Sequence, residues 1–248
     1  MKLQGKVAVV TGGNSGIGLA IAREFTEQGA DVVIFGRNTQ TLHEAAQTIG
    51  NGTLGVQGDV TRLADLERLF QETVARFGKI DILVANAGIA KPAPLDLTDE
   101  ALFDLTSDVN FKGAFFTVQK AIPHLNDGAS VILTTSAGNV KGMPEFSVYV
   151  ASKAAVRSLA RSFAAALLPR GIRVNALSPG PIETPIFGRM GLPEEVQEGI
   201  AAQISEMTPI KRFGQPEEMA KAALFLASSD SSYVVGSELV ADGGMSQL

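Results

Sequence analysis

The chain has 248 residues, 45% of them hydrophobic and 19% charged, which suits one large α/β domain with a substantial core. A net charge of −5 and a pI near 5.2 argue against nucleic acid as a partner. Zero cysteines exclude disulfides, thiolate metal sites and cysteine nucleophiles. The two histidines, His43 and His124, lie in predicted helices far from other motifs, so a Ser-His-Asp hydrolase or a two-histidine metal site has little support.

No apolar run approaches the roughly 18 residues that a membrane span needs. The opening MKLQGKVAVV enters a strand at once, leaving no room for a signal peptide, and the expected location is the cytoplasm. Lys6 to Thr11 is a short β-branched run, as in a buried parallel strand. It feeds GGNSGIG and then a helical pattern, LAIAREFTEQGA. Strand, glycine turn and helix together make a dinucleotide-binding context. Gly12 makes the tight turn, Gly16 and Gly18 let backbone and helix approach closely, and the helix amides meet a pyrophosphate.

The second strand, DVVIF, ends at Gly36-Arg37-Asn38, where the adenosine ribose belongs. A carboxylate there would take the bare ribose hydroxyls, whereas arginine accommodates a 2′-phosphate. Gly36 followed by Arg37 therefore points to NADP(H), with NAD(H) still possible, since Asn14 and Ser15 add no second positive charge. The alternative reading of Arg37 is a solvated loop residue.

Thr39 to Ile49 is an amphipathic helix and TLGVQ a third strand, followed by Gly58-Asp59-Val60. Asp59 either accepts from the adenine amino group or caps the helix LADLERLFQETVARFG, and the two roles are compatible. KIDILVANAG is a fourth strand ending in Asn86-Ala87-Gly88. Four strand–helix alternations predict a parallel, doubly wound sheet with ligands at the carboxyl ends of its strands. Thr98 to Leu125 reads as one or two helices, with Asn110 in the second. The fifth strand, ASVILTTS, delivers Ser136.

In the next helix Tyr149 and Lys153 are four residues apart, on one face and about 5–6 Å apart at Cβ. A nearby ammonium favours the phenolate, and bringing a phenol from ~10 to near 7 needs roughly 4 kcal/mol. Tyr149 is then a general acid or base, and Ser136 holds the same substrate oxygen. By itself Y-x-x-x-K also fits an ordinary helix surface. GIRVNALSPG is the sixth strand. Residues 181–212 form a lid over the site or an oligomer contact, with Ile186, Phe187 and Met190 as its apolar wall. PEEMAKAALFLAS and SELVADG close a single domain, 1–248.

The ordered set of Thr11 to Gly18, Asp59, Asn86-Ala87-Gly88, Asn110, Ser136, Tyr149 with Lys153, and Pro179-Gly180 resembles the short-chain dehydrogenase/reductase family over essentially the whole chain. The one departure is Ala85, where a second asparagine is frequent. The resemblance implies a three-layer Rossmann fold, a parallel sheet of about seven strands with helices on both faces. It also implies hydride transfer between NADP(H) and a carbonyl or secondary alcohol, with Asn110, Ser136, Tyr149 and Lys153 as the catalytic group. Lys153 would also bond the nicotinamide ribose, and Asn110 would hold a water linking Lys153 to solvent.

Cofactor contacts carried over are Gly12, Asn14, Ser15, Gly16, Ile17, Gly18, Arg37, Asn38, Asp59, Val60, Asn86, Ala87, Gly88, Tyr149, Lys153, Pro179, Gly180, Ile182 and Thr184. The last few close over the nicotinamide, and Met143 joins the lid residues at the substrate. The runner-up activity is a 3-oxoacyl carrier-protein reductase. An acidic carrier wants a basic patch at the site mouth, but the turn before the fifth strand reads Asn126-Asp127-Gly128 and Arg170 and Arg173 lie elsewhere. A silent cofactor-binding protein is less favoured, because all four catalytic positions are filled. Apolar residues on the outer sides of the alanine-rich helix and of the helix bearing Phe115 and Phe116 point, with the resemblance, to a homotetramer.

Overall fold

A computed structural model describes residues 1–185 and 194–248. Seven strands form one parallel sheet in the order β3-β2-β1-β4-β5-β6-β7. They are β1 (Val7–Thr11), β2 (Asp31–Gly36), β3 (Leu54–Gln57), β4 (Ile80–Ala85), β5 (Leu125–Thr134), β6 (Arg173–Pro179) and β7 (Glu238–Ala241). Side chains alternate between the faces of a strand, and here both faces are covered, so strands such as VAVVT are buried along their whole length. Val7, Val9, Val33, Leu83 and Val131 face one core with α3 (Leu63–Phe77), α5 (Gly113–Ala121) and α6 (Ser147–Leu167). Ala8, Val10, Ile34, Val84 and Ile132 face the other with α1 (Gly16–Glu27), α2 (Thr39–Ile49) and the helix Pro216–Ala227. This is the expected three-layer arrangement.

Three details refine or correct the expectations. First, α4 (Glu100–Ser107) runs into α5 without a break, through a π-helical turn at Asp108–Lys112 that contains Asn110. A π turn holds one extra residue, so the apolar phase of α4 does not carry into α5 and the segment reads as two helices. Second, Asp59 does not cap α3, whose N-cap is Arg62 without a side-chain bond. Its Oδ1 instead accepts from the Thr61 amide and hydroxyl, both at 2.9 Å, and closes the turn leading to the helix. Third, β5 starts earlier than predicted. Pairing with β4 jumps from Ile80↔Leu125 to Ile82↔Ser130, so the Asn126-Asp127-Gly128 turn bulges out of a continuous strand. The sheet reverses order between β1 and β4, and their carboxyl ends open the crevice where such sheets take ligands.

Candidate active site

At that crevice the glycine turn joins β1 to α1. Gly12 has φ +67° and Gly16 φ +52°, left-handed conformations that side chains resist. A Cβ on Gly18 would lie 2.2 Å from the Gly12 carbonyl oxygen and 2.6 Å from Asn86 Nδ2, so only glycine fits. Thr11 ties the strand ends together: its Oγ1 accepts from the amides of Asn86 (3.0 Å) and Ala87 (3.1 Å), and its carbonyl accepts from Asn86 Nδ2 at 3.1 Å. The start of α1 thus points its first amides into a glycine-walled cradle, a fit for a pyrophosphate. Thr184 stands over it, 3.2 Å from where a Gly16 Cβ would be. Gly180 donates to the Ala241 carbonyl at 3.0 Å, and buried Ile182 bridges to Gly214, which fixes the path after Pro179.

At the ribose end Gly36 lies against Asn14, with room for a Cβ only 2.6 Å from Asn14 Oδ1. The Asn14 amide donates to Thr41 Oγ1 at 2.7 Å, pinning the glycine turn to α2. Arg37 is exposed, and no hydrogen bond or ion pair engages its guanidinium among the described residues. Asn38 caps α2, accepting from the Thr41 amide at 3.0 Å. The Val60 side chain is buried in the core beside Gly113, and Ile17 packs against the opposite core.

Ser136, Tyr149 and Lys153 converge beside this cradle. Ser136 lies two residues past β5, in extended backbone that opens a short 3-10 turn, and its Oγ accepts from the Gly138 amide at 3.1 Å. Tyr149, in the first turn of α6, stacks edge-on to Phe146 with centroids 6.2 Å apart. Lys153 is 5% exposed; its Nζ lies 5.9 Å from the Tyr149 ring centroid and donates to the Thr134 carbonyl at 2.9 Å. The electrostatics correct the expectation of a phenol lowered by lysine. Burial pushes the Tyr149 phenol up, and a hydrogen bond with Ser136 draws it part of the way back. Burial also brings Lys153 down to about 8. The helix spacing puts the ammonium under the ring and on a carbonyl, not at the phenolic oxygen, so desolvation outweighs attraction.

Asn110 is 1% exposed and holds the backbone of one residue at both ends: Oδ1 accepts from the Ile89 amide at 2.8 Å and Nδ2 donates to the Ile89 carbonyl at 2.9 Å. Its remaining N–H reaches Ser152 Oγ at 3.2 Å. Both amide protons are therefore engaged, and the side chain's visible task is to hold the Gly88–Ile89 loop. A Cβ on Gly88 would lie 3.3 Å from both Asn110 Oδ1 and Lys153 Nζ. Met143 sits where a Gly138 Cβ would come within 2.8 Å of its sulfur, beside the Ser136 turn. Ile186, Phe187 and Met190 lie outside the described residues.

Sequence reading missed Ser152 and gave Thr11 no role beyond its place in the glycine motif, yet both position the groups named. Ser152 donates to the Tyr149 carbonyl at 2.6 Å, a back-bond that a mid-helix serine three residues after Tyr149 signals. Of the histidines, His124 stacks on Phe70, and among the described residues no three His, Cys, Asp or Glu side chains gather as a metal site. No described helix is long and apolar enough to cross a membrane.

Comparisons with known proteins bear on the family and the fold. A family model described as enoyl-(acyl carrier protein) reductase matches residues 12–246. The chain is 46% identical over 249 residues to oxidoreductase asL5 of Sarocladium schorii, covering 100% of this chain and 98% of that protein. It is 37% identical to the 3-oxoacyl-(acyl-carrier-protein) reductase FabG of Thermotoga maritima, covering 99% of each. A crystal structure of 3-ketoacyl-(acyl-carrier-protein) reductase from Brucella melitensis complexed with NADH superposes with a TM-score of 0.91, at 34% identity, covering 98% of this chain and 99% of that one.

Proposed function

Because the chain belongs to the short-chain dehydrogenase/reductase family of oxidoreductases, we propose that it interconverts an apolar ketone and its secondary alcohol using NADP(H). The observation that carries this reading is the convergence of Ser136, Tyr149 and Lys153 beside the glycine cradle at the strand ends. A bound nicotinamide dinucleotide supplies the hydride for the carbonyl carbon. Tyr149, kept protonated by burial, passes its proton to the carbonyl oxygen, and Ser136 holds that oxygen as charge builds. Lys153, on the same helix face and anchored to Thr134, stabilises the phenolate left behind. Its mostly protonated state at neutral pH, with a pKa of about 8, suits the task. Exposed Leu95, Leu97 and Val140 sit on the loops after β4 and β5, which the Ala93 amide and Glu145 carbonyl join at 2.8 Å, and they favour an apolar substrate. A panel of ketones followed by nucleotide absorbance tests the reading: at least one ketone is turned over, and none being turned over overturns it.

The names of two relatives support a second reading, a 3-oxoacyl carrier-protein reductase. Against it, Arg170 is occupied by Asp127 and the carbonyls of Ile122 and Leu125, and Arg173 by Ser228 and Ser231. Neither is left to meet an acidic carrier. A 3-oxoacyl group reduced faster on the carrier than on a small thiol would favour this second reading.

NADP(H) preference rests on Arg37, whose unpaired guanidinium can take phosphate oxygens in two parallel bonds. The efficiency ratio of NADPH to NADH is expected to exceed one, and Arg37→Ala to lower it about 10- to 100-fold, the scale of one charge-assisted bond. A ratio below one in the wild type refutes the preference. Gly36→Asp is a poorer probe, because its Cβ would displace Asn14 from Gly36.

The homotetramer reading is supported by exposed Phe103, Leu105 and Phe111 on the α4–α5 rod, and by the half-exposed edge strand β7. Light scattering should give four times the chain mass, and a monomer at micromolar concentration would refute it.

A further inference from the structure

Behind the catalytic group lies a buried polar cluster that the reaction itself does not use. Glu238, on β7, has a side chain only 9% exposed. Three donors from three different elements converge on it. Ser178 Oγ of β6 donates to Oε1 at 2.5 Å, Asn139 Nδ2 donates to Oε1 at 2.6 Å, and Arg157 Nε donates to Oε2. Arg157 is on α6, one turn beyond Lys153 and two beyond Tyr149, so the three share one stripe of the helix. Asn139 belongs to the short turn that Ser136 opens, and its Nδ2 also donates to the Ser136 carbonyl at 2.6 Å.

We propose that Glu238 is a positioning residue for the reaction: its carboxylate clamps the helix of Tyr149, through Arg157, to the turn of Ser136, through Asn139. The clamp thereby sets the separation of hydroxyl and phenol, and it rests on the reading of those two as the catalytic pair.

The orientation of Asn139 supports this. Its Oδ1 is buried without a hydrogen-bond partner, an arrangement that folded proteins rarely tolerate. Flipping the amide would turn that oxygen toward the Ser136 carbonyl and the Glu238 carboxylate, two acceptors. The orphan acceptor is thus the consequence of an amide fixed by what its NH₂ must hold. An anion is required at position 238 as well, because only acceptor oxygens can face all three donors, whereas a glutamine would set an NH₂ against either Arg157 or Asn139. Among the described residues, the only charged group acting on Glu238 is Arg157, with Ser178 and Asn139 as neutral partners.

The chain's composition provides a direct test. It has two tyrosines and no tryptophan, and Tyr233 is fully exposed, so near-ultraviolet phenolate absorbance follows Tyr149 with Tyr233 as internal reference. Glu238→Gln should loosen the Ser136–Tyr149 bond and move the Tyr149 titration upward by about half a pH unit or more. In the same variant kcat for ketone reduction with NADPH falls about tenfold, while the nucleotide KM stays within about twofold. Asn139→Ala, which keeps Glu238 paired with Arg157 and Ser178, should give the same shift, and the double variant should add little to either. Asn139→Ala also carries the test should Glu238→Gln fail to fold. Unmoved titrations overturn the clamp, even if melting temperatures fall, since that pattern belongs to a merely structural role. A wild type that reduces no ketone would instead defeat the functional reading, and the titrations would still report on the clamp.

Discussion

Tyr149→Phe is expected to abolish turnover, by at least about a hundredfold, the low end of what a positioned general acid contributes. Nucleotide affinity should stay within about twofold, because the phenylalanine ring retains the edge contact with Phe146 and the place above Lys153. The two outcomes together separate chemistry from binding. Two features of its surroundings suit the phenol to the proposed role: burial raises it, so it stays protonated at neutral pH, and it bonds to Ser136, the hydroxyl proposed to hold the substrate oxygen. Steady-state rates on the best ketone, set beside a nucleotide titration, make the comparison. A residual rate above a hundredth of wild type would mean that the proton comes from elsewhere.

Lys153→Met should produce effects of opposite sign on activity and stability. Turnover drops by about a hundredfold or more, since the phenolate loses its nearby cation. Stability rises, because the native state no longer buries an ammonium. A fall from 10.5 to about 8 corresponds to roughly 3 kcal/mol of penalty below pH 8. Loss of the bond to the Thr134 carbonyl offsets part of it, leaving a net gain of about 1–2 kcal/mol. For a chain of this size that is a melting temperature higher by roughly 2–8 °C. The sign with pH follows from linkage. Between pH 8 and 10.5 the unfolded lysine holds a proton that the folded one has lost, so wild-type stability climbs through that window. The variant's advantage is therefore full at pH 7 and shrinks toward pH 10. Calorimetry at those two pH values checks it, and an equal or lower melting point for the variant at pH 7 would show that the buried charge is not destabilising.

Much of this site was legible in the residues. The glycine turn, the strand-end asparagine and the Tyr-Lys helix pair depend on backbone geometry and spacing, which local sequence carries. Gly18 stands where only glycine fits, Gly12 and Gly16 take left-handed backbone that favours it, and the predicted α2, Thr39 to Ile49, has the observed bounds. What escaped depends on distance along the chain. Glu238 and Asn139 are 99 positions apart, and nothing near either names the other. The pKa directions escaped for a related cause. Spacing says that a lysine is near a tyrosine, but not that Lys153 Nζ is turned to the Thr134 carbonyl, or how little water reaches either group. Asp59 misled because an aspartate just before a helix usually caps it, whereas here it closes a turn one residue earlier than the cap.

The strand order has a consequence for how the protein is made. Apart from β4, which docks on β1, every strand pairs with the one synthesised just before it, so the sheet can grow outward from β1 as the chain emerges. Residues 1–85 already contain β3-β2-β1-β4 and the glycine cradle between them. Tyr149 and Lys153 arrive later, with α6, and Glu238 arrives only with the final strand. Such a nascent chain acquires its nucleotide cradle more than a hundred and fifty residues before the strand that registers its phenol against its serine.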